Sequence, residues 1–414
     1  MKTWITYLAA ILMGIATCLI FSDYTAVTAV YSSVTGFLVS LGIFLFIPIT
    51  IITFTAGIAS LRKDKLLAKS TGLTVLWSLL TTTVLALSAA AIFLAFPVKF
   101  PVSSSAGSDA SVFESIFRTT SNRALNQIYP SNPFMSIVTT TYYIVPILII
   151  SWILGISLKP NADIIRPAYT VMNSFAEVMY RIIRTVTVYG FFIVYTASSY
   201  FLLALFQEKT VLVSPSFMKV FLFGTIIVLL IVLPLIYAIF TRFRKNPYWA
   251  LGRSFSPIAA GLFTGNVLMA ALINEGSSRQ NVGVQKRIVS TATPIFSVIG
   301  RGGTAFITTL TVLSLFNAVG AQLSASSAII ASLAVALASF ISCIATGYEI
   351  IVVLFASLKF MNLNLYGAEA TILAMLPLLT GLSVLLDTAI AALGNAAISF
   401  YTRTDVKIPY RDIL

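Results

Sequence analysis

The 414-residue chain is 58% hydrophobic and only 9% charged, whereas soluble domains carry about a quarter charged residues. That composition excludes an ordinary soluble domain and defines an integral membrane protein, because apolar tracts of the roughly 20 residues needed to cross a hydrocarbon core recur from Ile5 to near the C-terminus. Histidine is absent, which removes the commonest metal ligand and Ser-His catalysis together, so neither an enzyme nor a cofactor is expected.

The apolar runs are continuous and lack the alternation of barrel strands, so an all-α polytopic protein is expected. The formal charge of +13 fits cytoplasmic loops of a multi-pass protein better than a nucleic-acid partner. On that rule Leu61 to Lys69, Lys159, Arg166, Thr241 to Pro247 and the terminal Arg403, Lys407 and Arg411 face the cytoplasm. The loop near Ser103 faces outward, and both termini are cytoplasmic. Cys18 and Cys343 lie in apolar surroundings and suggest no disulfide framework.

In chain order, spanning helices are predicted near 4–21, 34–61, 71–97, 134–157, 166–206 and 217–243. After Ser254 the regularity fails. Apolar tracts are interrupted at Asn274 to Asn281, Ile299 to Thr304, Ile341 to Glu349 and Leu386 to Asn395, the first three with polar residues at depths where freed backbone groups need protein or water. Pro257 to Ile273, a turn at Gly276 and a return through Val282 to Thr293 predict a re-entrant hairpin open to the cytoplasm. Ser327 to Ile341 and Ile350 to Leu358 predict a second one of opposite sense. Opposed hairpins beside broken helices are what alternating-access transporters use to hold a polar solute near the midplane.

The motif order then resembles the dicarboxylate/amino acid:cation symporter family, the glutamate-transporter fold. Phe46 to Leu61 resembles its second helix, Ser131 to Val138 the Asn-Pro-Phe start of the fourth, and Ala176 to Gly190 the fifth. Gly276 to Ser278 falls where the family has a serine-rich first-hairpin tip, and Gly302 to Thr304 falls on the end of its Asn-Met-Asp-Gly-Thr motif.

The resemblance implies eight transmembrane helices plus two opposed re-entrant hairpins, in a homotrimer in the cytoplasmic membrane. Scaffold helices 1 and 2 would occupy 1–61, helix 3 of a mobile transport domain 70–97, an outer loop 98–130, and scaffold helices 4 and 5 131–207. Helix 6 would fill 217–245, the first hairpin 254–291, the broken seventh helix 292–320, the second hairpin 324–361, the eighth helix 366–403 and a cytoplasmic tail 404–414. The implied activity is secondary transport of a small amino acid or carboxylate by an elevator movement. A non-transporting sensor and a passive anion channel are the alternatives.

Candidate site residues follow from both lines of reasoning. Asp387 is a carboxylate in the middle of an apolar helix, where it should face a cavity or a partner, and it matches the family's amine-binding aspartate. The family's arginine position holds Ile390, and Asn395, two turns on, is expected to reach the same cavity. Ser277 and Ser278 match hairpin-tip serines, Thr304 the motif threonine, and Gly347 the retained glycine of the second hairpin. Thr81, Thr82 and Ser399 fall on ion-ligating positions, and Glu275 and Glu349 could balance charge. Glu275 and Arg279 could also pair with each other.

Two sodium ligands of the family motif are replaced by Gly300 and Gly302, so the metal set is unknown. Arg301 stands between them. It could replace a coupling ion, fork onto a substrate carboxylate, or hold the broken helix by pairing with a glutamate.

Overall fold

The computed structural model describes residues 2–101, 144–159, 163–207, 215–320, 323–340, 342, 349–361, 368–403, 406, 408–409 and 412–413. Every regular element among them is a helix. The first three are α1 (Thr3–Phe21), α2 (Thr25–Lys63) and α3 (Leu67–Ala95). Then come α4 (Val145–Ser157), α5 (Arg166–Tyr189) and α6 (Phe191–Gln207). The Asn-Pro-Phe stretch and most of the expected outer loop lie outside the described residues.

The single helix expected over 166–206 is instead α5 and α6, bent by 46°. Between them Gly190 meets α1 so closely that a Cβ there would lie 2.1 Å from the Tyr7 hydroxyl. Helix α7 (Pro215–Phe240) widens to π geometry at Val228–Val232. That relieves the clash which Pro234 would otherwise make with the preceding turn.

The rest of the chain forms α8 (Pro247–Arg253), α9 (Phe255–Thr264), α10 (Val267–Ser277), α11 (Lys286–Ile299), α12 (Gly302–Ala318), α13 (Ala325–Ser339), α14 (Glu349–Phe360) and α15 (Glu369–Thr402). Six stretches are long and apolar enough to cross a membrane: α1, α2, α3, α7, α11 with α12, and α15. The bent α5 and α6 make a seventh if they are one span.

The first hairpin does not turn where the sequence suggested. Gly276 lies inside α10, packed against α5, where a Cβ would sit 2.0 Å from the Thr187 hydroxyl. The chain reverses at Gly265 and Asn266. Gly265 ends α9 in the left-handed region at φ +57°, a conformation that glycine adopts without a Cβ penalty. The Asn266 Oδ1 then caps α10 by accepting from the N–H groups of Leu268 (3.0 Å) and Met269 (3.1 Å). Both arms line α15, Gly261 and Gly265 of α9 against Thr388 and Thr380, and Val267 and Ala270 of α10 beside Val384. Ser277 therefore returns to the start of the hairpin, donating its hydroxyl to the Arg253 carbonyl at 3.1 Å.

That hairpin base belongs to one basic face. Lys69 bonds the Tyr401 carbonyl, Arg62 bonds the Ile156 carbonyl, Arg287 pairs with Asp64, and Lys286 pairs with Glu177. The C-terminal segment is strapped across the same face. Val406 donates its N–H to the Gly283 carbonyl at 2.9 Å, and Arg253 Nη1 donates to the carbonyls of Asn281 (2.6 Å) and Ile408 (3.0 Å). At Gly283 the φ is +86° and a Cβ would lie 2.0 Å from the Val406 carbonyl oxygen. Gly283→Ala is therefore expected to release the strap, and trypsin should cut after Arg403 faster than in the parent protein.

Candidate functional site

The site begins with a helix interruption. Helix α11 ends at Ile299 and α12 starts at Gly302, leaving Gly300 and Arg301 between two exposed helix ends. The last carbonyls of α11 and the first N–H groups of α12 lack intrahelical partners and need others. Arg301 supplies one of them. Its Nη2 folds back to donate to the Ser297 carbonyl at 2.8 Å, placing a cation at the negative end of α11.

Asp387 supplies the other, from α15. Its Oδ1 accepts from the N–H groups of Gly303 (2.6 Å) and Thr304 (3.4 Å), and its Oδ2 accepts the Thr304 hydroxyl at 2.8 Å. A carboxylate from another helix thus serves as the N-cap of α12, favoured by the partial positive charge there. Such an approach needs glycine. A Cβ on Gly303 would lie 2.2 Å from the Ser383 carbonyl oxygen and 2.6 Å from the Leu386 Cβ.

Three charges meet at the break. Arg301 Nη1 is 3.6 Å from Glu349 Oε1 and 4.0 Å from Asp387 Oδ2, with all three side chains about 2% exposed. Glu349 opens α14, so the second helical pair delivers its carboxylate to the break. One guanidinium thus faces two carboxylates, a formal balance of minus one.

Of the expected site residues, Arg301, Thr304, Asp387 and Glu349 come together here. Asn395 does not. Its Nδ2 donates to Thr293 Oγ1 (2.9 Å) and Ser278 Oγ (3.2 Å), and Ser278 Oγ donates to Asn274 Oδ1 (3.1 Å). Eight residues of α15 separate it from Asp387, about 12 Å of rise. Ser277 and Ser278 sit at the hairpin base and not at its tip, because the reversal falls at Gly265. Ser399 lines a basic-face cavity of about 490 Å³ with Lys245, Trp249 and Arg253.

Thr81 is bonded to its own helix through the Trp77 carbonyl at 2.7 Å, and the buried Thr82 hydroxyl has no hydrogen-bond partner among the described residues. Gly347 lies outside those residues. Glu275 is buried on α10, away from the break, and its expected partner Arg279 turns instead to Glu177 (3.8 Å). Sequence reasoning missed the Gly265 and Asn266 reversal, although Gly-Asn is a C-cap and N-cap pair. It also missed Trp77, whose indole donates to the Ile390 carbonyl at 2.9 Å.

No group of three or more His, Cys, Asp or Glu side chains that could hold a metal occurs among the described residues. A multi-pass helical protein with a charged, glycine-bounded break in a long buried helix has the build of a membrane transporter. The model of the Sodium:dicarboxylate symporter family matches residues 3–404, and the chain belongs to that family. Comparison with curated proteins returned no match.

Proposed function

We propose that the protein is a secondary transporter that moves a small amino acid or carboxylate by an elevator movement, with ion coupling altered from the family's sodium pattern. The buried cluster of Arg301, Glu349 and Asp387 at the helix break carries this reading. Arg301 is engaged by Ser297, Glu349 and Asp387, which disfavours a free fork onto a substrate carboxylate. Two buried carboxylates approaching one guanidinium favour an ammonium group or a bound proton or cation. The geometry fits a charge-balance role for Arg301 and equally a structural one, in which it holds the broken helix by pairing with Glu349. Neither Arg301 nor Arg279 stands free to line an anion pore, since Arg279 is held by Glu177 and by the Tyr180 ring.

In this reading the chain crosses the membrane eight times, with α9–α10 and α13–α14 as opposed hairpins. By the positive-inside rule the basic face is cytoplasmic. The scaffold comprises α1, α2 and α4 to α6 in a homotrimer, and the remainder moves. Small residues along the boundary suit sliding: Gly57 of α2 against Ser290 and Thr291 of α11, Gly42 against Met269, and Gly276 against Thr187.

Proteoliposome uptake of a panel of radiolabelled amino acids and C4 dicarboxylates, under sodium, proton or no gradient, tests this proposal. Uptake of an amine-bearing solute that sodium does not strongly accelerate is expected, and Asp387→Asn should abolish it. Strong acceleration by sodium would sink the altered coupling. Thermal stabilisation by a panel member without flux would instead make the protein a sensor.

A further inference from the structure

Outside the helix break, a second buried carboxylate has no assigned task. Glu275 lies on the face of α10 that packs against α5 and is 1% exposed. Neither of its oxygens has a hydrogen-bond partner among the described residues. Next to it Gly276 touches Thr187 and Ile183 of α5, so Glu275 is sealed in the seam between the first hairpin and that helix.

Of the charged groups around it only Arg279 acts on it favourably, through space and without a hydrogen bond, and that guanidinium is shared. Tyr180 of α5 is close enough to feel its charge, but its hydroxyl donates to the Lys286 carbonyl at 3.2 Å. Arg279, one turn further on, stacks on the Tyr180 ring at 4.4 Å and pairs with Glu177. Lys286 also pairs with Glu177. Helix α9 carries no titratable residue, the charges of α2 lie at its C-terminal end, Arg253 is committed to the strap, and Asp387 of α15 is committed to the break.

An ionised carboxylate with no hydrogen-bond donor and only a shared guanidinium nearby is costlier to bury than a neutral carboxyl group, and the usual relief is uptake of a proton. A metal ion would need further oxygen ligands, and no group of three or more His, Cys, Asp or Glu side chains that could hold one occurs among the described residues. We infer that Glu275 is a proton-binding site at the seam between α10 and α5, loaded from water when the two helices part and sealed with its proton when they pack. As a coupling site it rests on the transport reading above; as a proton site it does not.

The full-length protein in nanodiscs decides the first point. Infrared spectra at neutral pH should show a protonated-carboxyl C=O band that is lost in Glu275→Gln and kept in Asp387→Asn; a band unchanged by Glu275→Gln overturns the inference. A proton held by the folded chain and released by the unfolded one makes thermal stability fall as pH rises above the ordinary glutamate range. Glu275→Gln should flatten that slope, and an identical slope also overturns the inference.

In proteoliposomes, Glu275→Gln should lose proton-driven accumulation of whichever panel member the parent protein carries, while keeping exchange. Retained proton-driven accumulation removes the coupling role. If the parent protein carries none of the panel, the transport reading falls, and the infrared result still decides the proton site.

Discussion

Arg301→Met is expected to destabilise the protein by about 3–5 kcal/mol, the usual cost of removing one partner from a buried ionic group. The reason is the count of charges at the break. Without the guanidinium, the buried carboxylates of Asp387 and Glu349 both lose the cation they approach, and the Ser297 carbonyl loses its donor. A second substitution separates ionic from packing losses. Arg301→Met with Glu349→Gln should recover a large part of the stability, because it removes the charge that the arginine had balanced, and a double-mutant cycle measures that coupling. Thermal unfolding in detergent is the measurement. Equal stability of the single and double variants would mean that the ion pair contributes little.

Gly303→Ala should also be damaging, at about 3 kcal/mol, the upper part of the usual range for overpacking. The new methyl group would meet the Ser383 carbonyl oxygen at 2.2 Å, the Leu386 Cβ at 2.6 Å and the Asp387 nitrogen at 2.9 Å. None of these is the far end of a flexible side chain. Helix α12 would have to withdraw from α15, breaking the bond from the Gly303 N–H to Asp387. The matched control is Gly72→Ala on α3, where nothing lies within 4 Å of the new atom; it should be neutral or slightly stabilising, since alanine suits a helix better than glycine. A Gly303→Ala protein as stable as the Gly72→Ala control would show that α12 and α15 are free to separate.

The spanning helices were legible because their signal is local. Twenty apolar residues in a row leave a membrane helix as the only economical form, so α1, α3 and α7 fall within a few residues of their predicted ends. The break at Gly300 and Arg301 was legible for the same reason, since glycines and a charge interrupt an apolar run. The first hairpin was not. Gly276 and the serines beside it resemble a turn in composition, yet what decides a turn is backbone conformation and capping, and those fall on Gly265 and Asn266.

The register error carried Ser277 and Ser278 to the wrong end of the hairpin, and Asn395 missed separately, because about 12 Å of rise along α15 takes it past Asp387 to Ser278 and Thr293. The partners of Asp387 lay beyond sequence reasoning in another way. Residues 301, 349 and 387 are distant in the chain, and nothing local says that α12 would borrow its cap from α15.

The strap across the basic face bears on how the chain assembles. Arg253 and Ile408 are 155 residues apart, so the contact that closes the base of the first hairpin joins an early and a late part of the second half. Pairings over such separations form slowly, because the intervening loop must be ordered first. During synthesis the two arms of α9 and α10 would enter the bilayer with their base unfastened, and α15 would have to insert before Val406 could reach Gly283. The first hairpin, though translated before α11 to α15, is among the last parts of the molecule to be completed.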